Sequence, residues 1–334
     1  MGRTAEAALR QTMRRLALAV LTVSIGVPTL ALSQDAADYP NRPIRVIVTT
    51  SPGGISDVFV RALSEPLHKA LGQPVVVENR AGGFMILGAR ACADAAPDGY
   101  TFCVMPGEPL TYNQFTQKSL PYDPIKSFDP VTNFFFITQA LGVSSKLGVK
   151  NLDELAAYSK AKAGTLSYSA PSSSLVYFME NWKKKTGAEV VMVPSRGGNE
   201  MVTGLLTGTV PVSIVGLPNF IPHIRSGAVK AIAVDSEARS PLFPDVPTLR
   251  ELGFPNLAPV YFGFVTPTGT PKDIIHKLHD EIVTIGNEPS FRQKRLIDIG
   301  IVPVFDTPGH FADYLRVQRD NGRKLIQESG FQPR

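Results

Sequence analysis

The sequence predicts an α/β fold in two lobes, each a mostly parallel sheet flanked by helices. Three observations carry this. At 334 residues the chain is too long for one small core and suits two. Apolar residues make up 43% and charged residues 19%, a balance that builds packed cores rather than disorder. Finally, β-branched runs alternate with helical-period segments over residues 44–105, and the alternation recurs over residues 151–234. Strands joined through helices make parallel sheets.

The N-terminus stands apart. Arg10, Arg14 and Arg15 precede an apolar run from Leu16 to Leu32, and the small residues Ala31 and Ser33 at its end match the pattern of a cleavage site. This is the pattern of an export signal removed near Ser33. As a membrane span the run is short at 17 residues, and Gly26 and Pro28 interrupt it. No cysteine lies at the site to carry a lipid. Residues 1–33 hold Arg3, Arg10, Arg14 and Arg15 against Glu6, so about +2 of the formal +5 charge stays with the rest of the chain. That is too mild to point to nucleic acid. The expected organisation is signal 1–33, the first part of lobe 1 at 34–140, lobe 2 at 141–258, and a return to lobe 1 with C-terminal helices at 259–334.

Ile44 to Thr50 alternates as a strand, and Ser51-Pro52-Gly53-Gly54 breaks it. Phe59, Leu63, Leu67 and Leu71 then mark a helix from about Asp57, with Pro66 inside it at a cost of about 3 kcal/mol or a kink. Val75 to Glu78 is a second strand, a helix runs to Ala95, and Tyr100 to Met105 is a third strand. Cys92 and Cys103 lie in that helix and that strand. A disulfide and two buried thiols both fit, and an exported chain favours the disulfide. In the second half, strands at 165–169, 190–193 and 210–215 alternate with helices, one of which carries Trp182. Lys230 to Val234 reads as a strand returning towards the first lobe. The last third is amphipathic helix.

One pattern occurs four times: strand, then a Gly- or Ser-rich loop, then helix. The loops are Ser51–Ser56, Gly82–Met85, Ala170–Ser174 and Ser195–Asn199. In parallel sheets such loops share the C-terminal strand edge, where these folds bind ligands. A helix start offers unpaired N–H groups to an anion, glycine lets the ligand approach, and serine adds a hydroxyl. One such loop is an ordinary turn; four together point to binding. The candidate ligand-binding residues are Ser51, Gly53, Gly54, Ser56 and Asp57 in the first loop, and Gly82, Gly83, Phe84 and Met85 in the second. The third loop offers Ala170, Ser172, Ser173 and Ser174, and the fourth Arg196 and Gly197. Arg196, beside two glycines, has the geometry for bidentate carboxylate capture. Closure around a ligand is expected to change the emission of Trp182, one helix beyond Ser172–Ser174.

Enzyme motifs are missing. There is no Gly-x-Ser-x-Gly, His-Glu-x-x-His or Walker loop, and Gly53-Gly54 lacks the third glycine of a dinucleotide fingerprint. Ser159 and Lys162 fit a Ser-x-x-Lys pattern only on a polar helix. The histidines avoid all four loops, and His276 with His279 fits an exposed helix face better than a metal site. No catalytic residue, cofactor or metal is expected.

Several segments together resemble the Bug-type, or TctC-like, extracytoplasmic receptors of tripartite tricarboxylate transporters. They are Tyr39-Pro40-Asn41-Arg42-Pro43-Ile44, Pro52-Gly53-Gly54 with Asp57, and Gly72-Gln73-Pro74-Val75-Val76-Val77-Glu78-Asn79-Arg80. Ala96-Pro97-Asp98-Gly99-Tyr100-Thr101, Leu120-Pro121-Tyr122-Asp123-Pro124, Pro244-Asp245-Val246-Pro247-Thr248 and Gly269-Thr270-Pro271 complete the set. The resemblance covers nearly all of the chain beyond the signal. It implies a type II periplasmic-binding fold, a clamp in the periplasm, a small carboxylate as ligand and two membrane subunits as partners; a monomer is expected. This sequence departs from the family pattern in three places. The second loop, Gly82-Gly83-Phe84-Met85-Ile86-Leu87-Gly88, is longer and more apolar; Ser195-Arg196 replaces Tyr-Lys; and Val215-Gly216 replaces a polar or acidic pair. Val215 and Gly216 therefore join the candidate site residues. The loss of an acid there argues against an amino-acid ligand, and the apolar wall expected of Phe84 and Met85 favours a dicarboxylate or aromatic acid, terephthalate-like, over citrate. A sensor for a membrane kinase and an exported enzyme acting on a carboxylate are the competing readings.

Overall fold

Two mixed sheets order the chain in a computed structural model that describes residues 39–162, 164–236, 238–254, 260–329 and 332–333. The expected export signal and its cleavage near Ser33 lie outside these residues. In the first sheet, β1 (Ile44–Val48) pairs in parallel with β2 (Val75–Asn79) and β3 (Thr101–Pro106). Helices α1 (Ile55–Leu71) and α2 (Ile86–Ala93) make the crossovers. Helix α1 buries Phe59, Val60, Leu63, Leu67 and Leu71 on one face, each burial contributing about 1.5–3 kcal/mol. Pro66 lies within α1 on a half-buried position, where the Ala62 carbonyl loses its helical donor.

The sheets are mixed rather than mostly parallel because long strands cross them in the opposite sense. β4 (Phe128–Ile137), β10 (Val260–Pro267) and β11 (Ile301–Pro303) join antiparallel, giving the order β11-β4-β10-β3-β1-β2. β5 (Gln139–Ser144) follows β4 after Thr138 alone, yet belongs to the second sheet. There β6 (Ser167–Ser169), β7 (Val191–Met192) and β8 (Val212–Gly216) are parallel, and β5 runs antiparallel to β8 and to β9 (Val229–Asp235). The strand at Lys230–Val234 thus does not return to the first lobe. It is the edge of the second sheet, hydrogen-bonded to β5, and β10 makes the return.

Between β3 and β4 stand a short π-helix, Glu108–Tyr112, and α3 (Asn113–Thr116). The second sheet carries α4 (Leu152–Ala161), α5 (Ser173–Thr186), α6 (Gly198–Thr207) and α7 (Ile221–Arg225). After β10, α8 (Lys272–Asn287), α9 (Pro289–Arg295) and α10 (Pro308–Ser329) complete the first lobe, with α8 and α10 against β4. Both faces of each sheet are packed. Val46 and Val48 belong to one core and Ile47 to another, and Leu141 and Ala140 divide likewise in the second sheet. Cys92 of α2 and Cys103 of β3 are joined by a disulfide within the first lobe.

Candidate functional site

The loops that follow the parallel strands of both sheets line one cavity, as strand C-terminal edges do in open α/β sheets. From the first loop, Thr50, Gly54, Ile55 and Ser56 reach the wall. Gly54 precedes α1 with no side chain capping the helix, so the first-turn N–H groups of Ile55 and Ser56 stand at the cleft. Asp57 is turned away from it. Its carboxylate accepts from the Gly53 N–H at 2.7 Å and from Arg61 Nε at 3.0 Å. Burial alone would raise the Asp57 pKa, but the hydrogen bonds from Arg61, Gly53 and Asn79 outweigh it and hold the carboxyl below its ordinary range. Asp57 shapes the loop and does not line the cavity.

Gly53 and Ser51 serve the meeting of the lobes instead. Gly53 has φ +74, and a Cβ there would stand 2.3 Å from Asn199 Nδ2, which donates to the Pro52 carbonyl at 3.0 Å. Ser51 Oγ is buried without a hydrogen-bond partner, and a Cβ on Gly197 would come within 2.2 Å of it. Glycine at 197 is what lets the two loops approach so closely.

The second loop is a run of left-handed backbone, with φ +123, +56, +52 and +68 at Gly82, Gly83, Phe84 and Met85. Two non-glycine residues in this region cost about 1 kcal/mol or more each. The turn splits their side chains. Met85 lines the cavity, whereas Phe84 packs on the core of the second lobe. The expectation that Phe84 forms the apolar wall is therefore corrected: the turn throws its ring across to the other lobe. Gly82 and Gly83 do not reach the wall.

From the second lobe, Pro171, Ser172, Ser174 and Leu175 line the cavity, with Gly197, Gly198, Val215 and Gly216. Ala170 is buried behind them, and the side chain of Ser173 lies outside the described residues. Arg196 is a second correction. It is exposed and absent from the wall, and its backbone N–H donates to Glu200 Oε2 at 2.6 Å. Its neighbouring glycine accommodates Ser51 rather than a ligand held by the guanidinium.

The sequence reading omitted Glu108, Tyr112, Gln139, Asn219, Tyr261 and Phe262, all of which line the cavity. Glu108 is the most consequential. It is 5% exposed, its Oε1 accepts from the Ser174 hydroxyl, and its Oε2 has no hydrogen-bond partner. Burial raises its pKa against the opposing hydrogen bonds of Ser174 and Ser172. The Tyr112 hydroxyl is likewise buried and unpartnered, and burial, then the neighbouring Glu108 charge, raise its pKa. The loop after β3 obeys the same strand-edge rule as the four loops chosen. Pro106-Gly107 directly after a strand was the available signal.

Among the described residues that line the cavity there is no Lys, Arg or His, and Glu108 is its one acid. Elsewhere among the described residues no three of His, Cys, Asp and Glu gather as for a metal. The wall is mainly apolar. The arrangement can hold an anionic group at the start of α1, an apolar body against Met85, Ile137, Val215 and Phe262, and a polar group at Glu108 and Tyr112.

The family model of the tripartite tricarboxylate transporter family receptor matches residues 59–331. Among curated proteins, BugT of Bordetella pertussis is 36% identical over an alignment that covers 92% of this chain and 98% of BugT. Among solved structures, the periplasmic binding protein BugD superposes with a TM-score of 0.82 at 28% identity, covering 89% of this chain and all of BugD. The R. palustris protein Rpa4515 with adipate superposes with a TM-score of 0.80 at 26% identity, covering 89% of this chain and all of that one.

Proposed function

We propose a function from one starting point: the chain belongs to the receptor family of tripartite tricarboxylate transporters. It has the two-lobed fold of periplasmic binding proteins, and no helix of the described residues is long and apolar enough to cross a membrane. On this reading the chain is exported with its signal removed near Ser33. It captures a small carboxylate between the lobes as a monomer and delivers it to the two membrane subunits of a tripartite transporter. The first lobe would comprise residues 39–137 and 260–329, and the second residues 139–254.

The observation that carries the reading is the uncapped start of α1, at Gly54, Ile55 and Ser56, facing the second lobe's loops across a largely apolar cavity. A carboxylate at that start takes backbone N–H groups and the positive end of the helix dipole. The apolar walls favour a body such as a ring or short alkyl chain over the hydroxyl-rich citrate. The relative Rpa4515 was solved with adipate, a carboxylate with an apolar middle.

The test is native mass spectrometry of the exported protein, followed by a thermal-shift screen of benzoate-type acids, terephthalate, adipate, citrate and glutamate. A ligand at one hundred times its Kd adds about 2.7 kcal/mol of stability. The intact mass is expected to begin near Gln34. A screen in which only citrate, or no acid, raises Tm would reject the ligand class.

A further inference from the structure

Helices α1 and α5 both begin at the cleft, and both starts attract anions. At α5 the place is taken by the protein itself. Glu108 leaves the first lobe at the end of β3 and sets its carboxyl against Ser174, and Ser174 Oγ lies 3.2 Å from Ser172 Oγ, the residue that precedes α5. Only one carboxyl oxygen is used. Oε2 is buried, has no hydrogen-bond partner and belongs to a residue of the cavity wall.

We propose that Glu108 sets ligand specificity: the cleft takes a monocarboxylate whose far end donates a hydrogen bond, and discriminates against one that ends in a second carboxylate. The inference rests on the reading above that the ligand's first carboxylate lies at the start of α1. Three features support it. In its ionised form the free oxygen of Glu108 is an acceptor that lacks a donor, and a donor on the ligand favours that form. Among the described residues of the wall no Lys, Arg or His offsets a second anionic group beside it. Tyr112, next to Glu108, holds a buried hydroxyl without a partner, able to donate to an acceptor on the same ligand group. A carboxamide meets both, giving its N–H to Glu108 and taking the Tyr112 O–H on its carbonyl. An ammonium or hydroxyl meets the first. Glu108 thus supplies from the β3 loop the acid that Val215-Gly216 lacks, and it reopens the cleft to ligands bearing an amino group.

Two isosteric pairs isolate the effect, because each changes one O⁻ to NH₂ with the shape kept: terephthalate against 4-carbamoylbenzoate, and adipate against its monoamide. Calorimetry on the wild-type protein near neutral pH is expected to show the amide of at least one pair binding about tenfold tighter or more, the usual size of one charge-assisted hydrogen bond. Glu108→Gln is expected to shift that ratio about tenfold towards the dicarboxylate, since a glutamine amide can donate to it. If the variant does not fold, the wild-type ratio alone decides. Equal or tighter binding of both dicarboxylates to the wild type would overturn the inference and make Glu108 a protonated donor, while leaving the carboxylate receptor intact. Binding of none of the four acids would overturn both.

Discussion

Helix α1 starts behind Gly54 and helix α5 behind Ser172, and in neither case does the preceding side chain cap the helix. Each has a buried acid close by. Asp57, in the first turn of α1, is bound by Arg61 and by the Gly53 N–H, so its charge is spent inside the first lobe. Glu108, a residue of the cavity wall, reaches α5 from the opposite lobe, meets hydroxyls rather than a guanidinium, and keeps one buried oxygen without a partner. The partner of a buried carboxyl, more than its burial, decides whether it is part of the scaffold or part of the site.

The comparison breaks most readily where the two lobes touch. In Gly197→Ala the new Cβ would fall 2.2 Å from Ser51 Oγ, so either the buried Ser51 hydroxyl or the loop at the start of α6 must give way. Ligand affinity is expected to fall about tenfold or more, or roughly 1.4 kcal/mol. The double variant Ser51→Ala/Gly197→Ala removes the obstructing hydroxyl and is expected to recover part of the loss. Calorimetry with any ligand from the thermal-shift screen checks this. No loss in the single variant would show that Ser51 and Gly197 do not approach when ligand is held.

A smaller effect separates the two acids by sign. Asp57 has a depressed pKa, so it contributes stability that is present above its unfolded value of about 3.8 and is lost as pH falls through the folded value. Glu108 has a raised pKa, with the opposite consequence. The folded state holds its proton longer than the unfolded state does, so stability is lost as pH rises from the unfolded value of about 4.5 through the folded one. In the ligand-free protein, Asp57→Asn is therefore expected to lower Tm at neutral pH. Glu108→Gln is expected to raise it, and both differences should shrink on acidification. Thermal melts across a pH series test the pair, and equal signs at neutral pH would refute the distinction between the two acids.

Much of the fold was legible because β1–β3 and β6–β8 are β-branched runs divided by Gly- and Ser-rich loops and helical periods. The crossing strands were not. Phe128 to Ser144 is buried on both faces over most of its length, so it shows no alternation, and only Thr138 separates one sheet from the other. At the site, strand-edge topology brought Gly54, Ser56, Met85, Ser172, Ser174, Gly197, Val215 and Gly216 to one wall. Topology does not report side-chain direction. Phe84 is turned over by its left-handed backbone, and Arg196 is exposed rather than part of the cavity wall. Glu108 was hidden because an acid between Gly107 and Pro109 reads as an exposed turn. What makes it a site residue is the distant pair Ser172 and Ser174, which adjacency in sequence does not reveal.

The smallest expected effect concerns the one tryptophan. The sequence places Trp182 on the helix that follows Ser172–Ser174, and proximity in sequence suggests that ligand binding alters its emission. The structure argues for little change. Ser174 and Leu175 at the start of α5 line the cavity, but Trp182 lies about 12 Å further along the helix at 1.5 Å per residue. Its ring is fully buried in the second lobe's own core. Tyr112 and Tyr261, by contrast, belong to the cavity wall. Binding is therefore expected to perturb tyrosine absorbance while the tryptophan emission maximum stays in place. If the emission shifts instead, closure repacks the second lobe's core, and the start of α5 that holds Glu108 is a moving part rather than a fixed wall.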